Sequence, residues 1–133
     1  MIDPVSEQDN LQLIFSRLER YLSEGNAFAR SGLNRKSLAA ALKTNEKYLV
    51  KAVRMYAGGK SLGDYIDSLR LEHACFLLRK YPEYRIEAVA AECGIASRAS
   101  FYRLFRRYYG CCPGEYREKI SGFPKNETHS SPK

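Results

Sequence analysis

Residues 89–105 read Val89-Ala90-Ala91-Glu92-Cys93-Gly94-Ile95-Ala96-Ser97-Arg98-Ala99-Ser100-Phe101-Tyr102-Arg103-Leu104-Phe105. Apolar residues first recur at helical spacing, stop at Gly94, and resume after Ser97, a good helix cap. The arrangement has an earlier copy. Leu38-Ala39-Ala40-Ala41-Leu42, then Thr44, Tyr48-Leu49, Ala52-Val53, Tyr56 and Gly58 parallel Val89 to Gly94, then Ser97, Phe101, Leu104-Phe105, Tyr108 and Gly110. Each copy reads as a short helix, a tight turn and a longer helix. Ala39 and Ala90 hold matching places in the short helices, where a small residue lets the long helix cross closely. A repeated helix-turn-helix is the simplest architecture for this pattern.

The rest of the chain fits around these two copies. Leu11, Ile14, Phe15, Leu18, Tyr21 and Leu22 form an apolar stripe, predicting an amphipathic helix over residues 4–24. Asp3-Pro4 offers one start for it, and Ser6 with Asp9 offers another. Gly25-Asn26 ends it, and residues 26–33 are expected to be a connecting loop. Asn34 caps a helix over 35–42, Lys43 makes the turn, and Thr44 is expected to cap a helix over 45–56. Ser61 with Asp64 starts a long helix over 62–80, which Tyr81-Pro82 stops. Helices over 86–93, 98–109 and 113–120 follow, and the polar stretch 121–133 is expected to be disordered. The expected fold is therefore all-α. Two helix-turn-helix subdomains, 31–60 and 82–120, are joined by a linker helix at 61–81. A lead-in helix within 1–30 brings the total to about seven helices.

Charge is concentrated on the repeat. Residues 30–120 carry 18 Lys or Arg and 9 Asp or Glu, whereas residues 1–29 carry 2 and 5. A polyanion is the natural partner of such a region. On a helical wheel, Lys47, Val50, Lys51 and Arg54 lie opposite the apolar side of the first long helix. Ala99, Arg103 and Arg106 lie opposite Phe101 and Phe105 in the second, flanked by Arg98, Tyr102 and Arg107. A helix backed by apolar contacts and fronted by long cationic side chains suits the DNA major groove, about 12 Å wide. The linker helix, about 28 Å long at 1.5 Å per residue, is comparable with the ~34 Å between successive grooves on one face. Double-stranded DNA is the expected partner, read in two successive major grooves at an asymmetric site.

Other classes find little support. Cys75 and Cys93 fall on apolar faces, Cys111 and Cys112 are adjacent, and His73 and His129 are isolated, so no metal site or cofactor is expected. No apolar run reaches the ~20 residues that span a bilayer, and Met1-Ile2-Asp3-Pro4 does not resemble a secretory signal. A cytoplasmic protein without membrane contact by this segment is expected. Two rival readings are weighed: the DNA-binding module of an alkyl-transfer repair protein, with Cys111 or Cys112 as nucleophile, and a module for an acidic protein partner.

Residues 33–118 resemble the double helix-turn-helix domain of the AraC/XylS transcription regulators. The resemblance rests on Ile86, Val89-Ala90, Cys93-Gly94-Ile95, Ser97, Phe101, Arg103, Phe105, Gly110, Pro113 and Glu115-Tyr116-Arg117. The linker string Tyr65-Ile66-Asp67-Ser68-Leu69-Arg70-Leu71-Glu72-His73-Ala74 also matches. It implies no enzymatic activity. It implies base contacts by Lys47, Val50 and Lys51 in the first unit, and by Arg98, Ala99, Ser100 and Arg103 in the second. For most members it also implies transcriptional activation by contact with RNA polymerase, and for the longer ones a separate sensor domain. This segment is expected to be either a small stand-alone regulator or, as the lead-in helix favours, the output end of a longer protein with a sensor or receiver domain. Three residues depart from the family pattern: Val53 stands for a Phe, Ile95 for a Phe, and Cys112 for a Ser or Thr cap. One extra residue falls near Gly58-Gly59.

Overall fold

A computed structural model describes residues 6–121. Its α-helices are α1 (Glu7–Ser23), α2 (Arg35–Ala41), α3 (Glu46–Tyr56), α4 (Leu62–Lys80), α5 (Ile86–Glu92), α6 (Arg98–Tyr109) and α7 (Pro113–Ser121), with a short 3-10 turn at Glu24–Ala29. The described residues are all helix and turn, as the sequence predicts. The chain divides after Leu69, inside α4, into two compact units.

The first unit is built on α1. Its N-cap is Ser6, whose side chain accepts from the Asp9 N–H. The alternative start at Asp3-Pro4 lies outside the described residues. Leu11, Ile14, Phe15, Leu18 and Leu22 are buried, while Tyr21 is half-buried. This stripe packs on α3, against Leu49, Ala52 and Val53, and Leu38, Ala39, Leu62, Tyr65 and Ile66 complete the core. The expected loop over 26–33 needs correction. Glu24–Ala29 winds into a 3-10 turn in which Gly25 and Asn26 are left-handed, and that reversal buries Ala27 and Phe28.

The second unit repeats the plan. The C-terminal half of α4 gives Leu71, Ala74, Cys75, Leu77 and Leu78 to its core, joined by Val89, Ala90, Cys93 and Ile95, and by Phe101 and Phe105. Phe105 is fully buried among Phe101, Tyr109 and Tyr116, with ring centroids 5.7, 4.7 and 5.4 Å away. Arg117 of α7 ties this core to the α4–α5 connection, donating to the carbonyls of Tyr84 at 2.7 Å and Tyr81 at 3.3 Å. Burial of the Arg117 guanidinium lowers its pKa, so these carbonyls offset part of a desolvation cost.

Two sequence departures acquire physical meaning here. The extra residue of the first unit is taken up by consecutive left-handed glycines, Gly58 and Gly59, where the second unit has Gly110 alone. Cys112 does not leave α7 without a cap interaction, because Glu115 reaches back to accept the Cys112 N–H at 3.1 Å. Ser121 closes α7, and residues 122–133 of the expected disordered tail lie outside the described residues.

Candidate nucleic-acid interface

Within each unit, one tight turn fixes the long helix on its short prop. The Thr44 N–H donates to the Ala39 carbonyl at 2.9 Å, and the Ile95 N–H donates to the Ala90 carbonyl at 3.0 Å. These equivalent bonds need a left-handed residue just before the donor. Gly94 takes that conformation at φ 84°, and Lys43 takes it at φ 58° with a full side chain. Ala39 and Ala90 are buried, in keeping with close helix approach.

The cap of the first long helix corrects the sequence reading. Asn45, not Thr44, is the N-cap of α3, and its side-chain oxygen accepts from the Tyr48 N–H at 2.8 Å. Ser97 plays this part for α6, accepting from the Ser100 N–H at 3.1 Å. The Thr44 N–H is instead committed to the turn. The second turn is one residue longer, running from Cys93 to Ser97 where the first runs from Leu42 to Asn45.

On α3, Lys47, Lys51 and Arg54 are exposed, and Val50 is half-buried. Lys51 is engaged by the lead-in helix: its Nζ lies 2.6 Å from Glu7 Oε2. The hydrogen bond and charge of Lys51 hold the Glu7 carboxyl below its usual range, and Glu7 raises Lys51 in return. The Tyr56 hydroxyl donates to the Gln8 carbonyl at 3.2 Å, and Phe15 stacks on Tyr56 with centroids 6.0 Å apart. A cleft of about 400 Å³ runs beside α3. Val50 and Arg54 line it together with Leu33 to Arg35, Ser61 to Gly63 and Ile66. Arg35 approaches Glu46 at 4.0 Å.

On α6, Arg98, Ala99, Arg103, Arg106 and Arg107 are exposed, and Ser100 is half-buried. This helix carries four arginines and no acid. Arg98 is oriented by three contacts. It pairs with Glu87 Oε2 at 2.5 Å, donates to the Tyr102 hydroxyl at 3.3 Å, and lies over the Tyr102 ring at 5.0 Å. Hydrogen bonding to its own backbone, then the charges of Arg98 and Arg85, keep the Glu87 carboxyl below its ordinary range. Arg103 donates to Ser100 Oγ at 3.4 Å. Among the described residues no carboxylate pairs with Arg103 or Arg106.

Of the sequence-predicted reading residues, Lys47, Lys51 and Arg54 are exposed on α3 and Arg98, Ala99, Arg103 and Arg106 on α6, while Val50 and Ser100 are half-buried. Sequence reasoning missed the acids that hold two of them, Glu7 and Glu87. It also missed a charge inversion. The short and long helices are bridged by Arg35–Glu46 in the first unit and by Glu87–Arg98 in the second, with the signs exchanged. The first positions of α3 and α6 therefore present an acid and a base respectively. Among the described residues no helix is long and apolar enough to cross a membrane. None of their His, Cys, Asp and Glu side chains gather in a group able to hold a metal ion.

Comparison with known proteins agrees with this geometry. Residues 38–119 match a family described as a helix-turn-helix domain. The chain is 33% identical over 108 residues to the helix-turn-helix-type transcriptional regulator YijO of Escherichia coli K12, covering 81% of this chain and 36% of that protein. It is 36% identical over 74 residues to the transcriptional activator RhaR of Yersinia pseudotuberculosis, covering 56% of this chain and 25% of RhaR. The chain therefore spans only about a third and a quarter of these relatives. The C-terminal domain of AraT, a response regulator from Geobacillus stearothermophilus, superposes with a TM-score of 0.72 at 26% identity, covering 87% of this chain and 94% of that one. With its paired helix-turn-helix units, its basic outer faces and this family match, the chain belongs to the AraC-type helix-turn-helix family of DNA-binding transcription regulators.

Proposed function

We propose that α3 and α6 are the reading helices, each entering a major groove of one double-stranded DNA site. The observation that carries this reading is α6: four arginines without an acid, seated on the fully buried Phe101 and Phe105. Arg103 and Arg98 match the O6 and N7 acceptors of guanine, for which the guanidinium fork is the best fit. Ala99 and Val50 suit a thymine methyl, and Ser100 a nearby donor or acceptor. Lys47 and Lys51 read from α3, where Glu7 already engages Lys51. Arg54 and Arg106 lie towards the ends of their helices and serve backbone phosphates, which position the protein without selecting sequence.

The chain is the output segment of a longer cytoplasmic regulator that carries a sensor or receiver domain. Its small share of its relatives' lengths and the response-regulator origin of the AraT domain support this. Activation of transcription through contact with RNA polymerase is the corresponding output, supported by the activator RhaR. Members of this family are not enzymes, so the half-buried Cys111 and Cys112 are turn residues rather than nucleophiles. Selection of bound duplexes from random DNA, followed by footprinting, tests the reading. An asymmetric consensus with two protected segments about one helical turn apart supports it. Binding governed by salt alone, with no consensus, overturns it.

A further inference from the structure

We propose that Glu7, on the first turn of α1 and outside both helix-turn-helix pairs, α2–α3 and α5–α6, is a specificity-determining residue of the first reading helix. Its carboxylate holds the Lys51 ammonium at 2.6 Å. Lys47, one helical turn from Lys51 on α3, also acts on Glu7 through its charge. The acid therefore contacts one of the side chains assigned to base reading, Lys51, and the charge of a second, Lys47, also acts on it. It is fixed there because α1 is anchored to α3 along its length: Phe15 stacks on Tyr56, the Tyr56 hydroxyl bonds the Gln8 carbonyl, and Leu11 and Ile14 are buried in the shared core.

Two consequences follow from chemistry. An ammonium has three N–H donors. With one given to Glu7, Lys51 is aimed, and two remain for acceptors such as guanine O6 and N7. The carboxylate then lies within hydrogen-bond reach of the group that touches DNA. Beside a phosphate it repels, whereas beside an exocyclic amino group of cytosine or adenine it accepts a bond. Glu7 thus penalises duplexes that offer only phosphate to this corner and rewards those that offer a base amino group. An arginine- and lysine-rich face without such an acid binds any duplex well.

This inference rests on the reading that α3 touches bases, and the test separates the two. The selected duplex and a scrambled duplex of equal length are titrated at several salt concentrations with the wild type, Glu7→Gln, Lys51→Ala, the double variant Glu7→Gln/Lys51→Ala and Arg103→Ala. Circular dichroism of each variant checks folding. Glu7→Gln should tighten binding to the scrambled duplex severalfold. It should lower the ratio of selected to scrambled affinity by roughly tenfold, about 1.4 kcal/mol. The salt slope on the scrambled duplex should steepen by about 0.9, because Lys51 is released to a phosphate. In the Lys51→Ala background, Glu7→Gln should lose most of its effect on the ratio. Equal shifts on both duplexes, or none, would overturn the role of Glu7 while leaving α3 as a reader, provided Lys51→Ala still lowers the ratio. A silent Lys51→Ala beside a costly Arg103→Ala would overturn the reading of α3 and this inference with it.

Discussion

Replacing Phe105 by alanine should remove most of the stability of the second unit. The ring is fully buried and meets Phe101, Tyr109 and Tyr116 within 5.7 Å between centroids. An aromatic side chain buries about 150–250 Å², which at ~25 cal/mol per Å² gives roughly 4–6 kcal/mol as an upper value. Measured Phe→Ala truncations in cores cost about 3–5 kcal/mol, cavity included. A loss near 4 kcal/mol is large against the ~5–15 kcal/mol that stabilises a whole domain. Val53 holds the matching place in the first unit and is equally buried, but Val53→Ala deletes only two methyl groups and should cost about 2 kcal/mol. Urea unfolding followed by circular dichroism measures both losses. Hydrogen exchange read by mass spectrometry locates them, with protection falling most in α5, α6 and α7 for Phe105→Ala. A loss below ~1 kcal/mol, or equal deprotection of α1 to α3, would refute the assignment of Phe105 as the centre of the second core.

Three further outcomes are expected. Arg103→Ala should weaken binding to the selected site by about 1–3 kcal/mol and relax preference at one or two positions; fluorescence anisotropy on a panel of single-base variants checks this, and an equal loss on every sequence would speak against base reading. Asn45→Ala should destabilise the protein by about 1 kcal/mol through loss of the α3 cap, whereas Thr44→Ala, which leaves the backbone bond to Ala39 in place, should cost less than half of that in thermal melts. Burial pushes the Cys93 thiol up to about 12, so it stays protonated and unreactive at pH 8, and Cys75 is shielded by its burial; iodoacetamide should label the native protein at Cys111 and Cys112 only, and mass spectrometry finding early adducts at Cys93 would contradict the packing of that core.

Much of the fold is visible in the one-dimensional pattern because the second long helix has large rings at its buried positions. Phe101 and Phe105 lie one turn apart, and Gly94 and Gly110 mark both ends of the segment. The first copy is harder to align. Lys43 supplies the left-handed turn without glycine, so nothing in its residue type announces the conformation. Thr44 and Asn45 are both good caps, and only the hydrogen bonds decide between them. Val53 suggests a looser first core than its Phe105 counterpart, yet it is fully buried in a core to which Phe15 of α1 adds a ring against Tyr56 and Tyr65. The stripe on α1 shows that a partner exists without saying which helix it is. The outer faces of α3 and α6 follow from periodicity, since a wheel sorts exposed from buried residues. The acids that orient them do not. Glu7 is 44 residues from Lys51, and Glu87 is 11 from Arg98. Such pairs are set by how helices cross, which residue spacing does not encode.

The measurement that bears most directly on paired reading helices is hydroxyl-radical footprinting on a duplex recovered by selection, repeated with Lys47→Ala/Lys51→Ala and with Arg98→Ala/Arg103→Ala. The wild type should protect two segments about 10 base pairs apart. Each double substitution should remove protection from one segment, and a different one in each case. A single protected segment, or both segments fading together with either variant, would contradict the assignment of one groove to each unit.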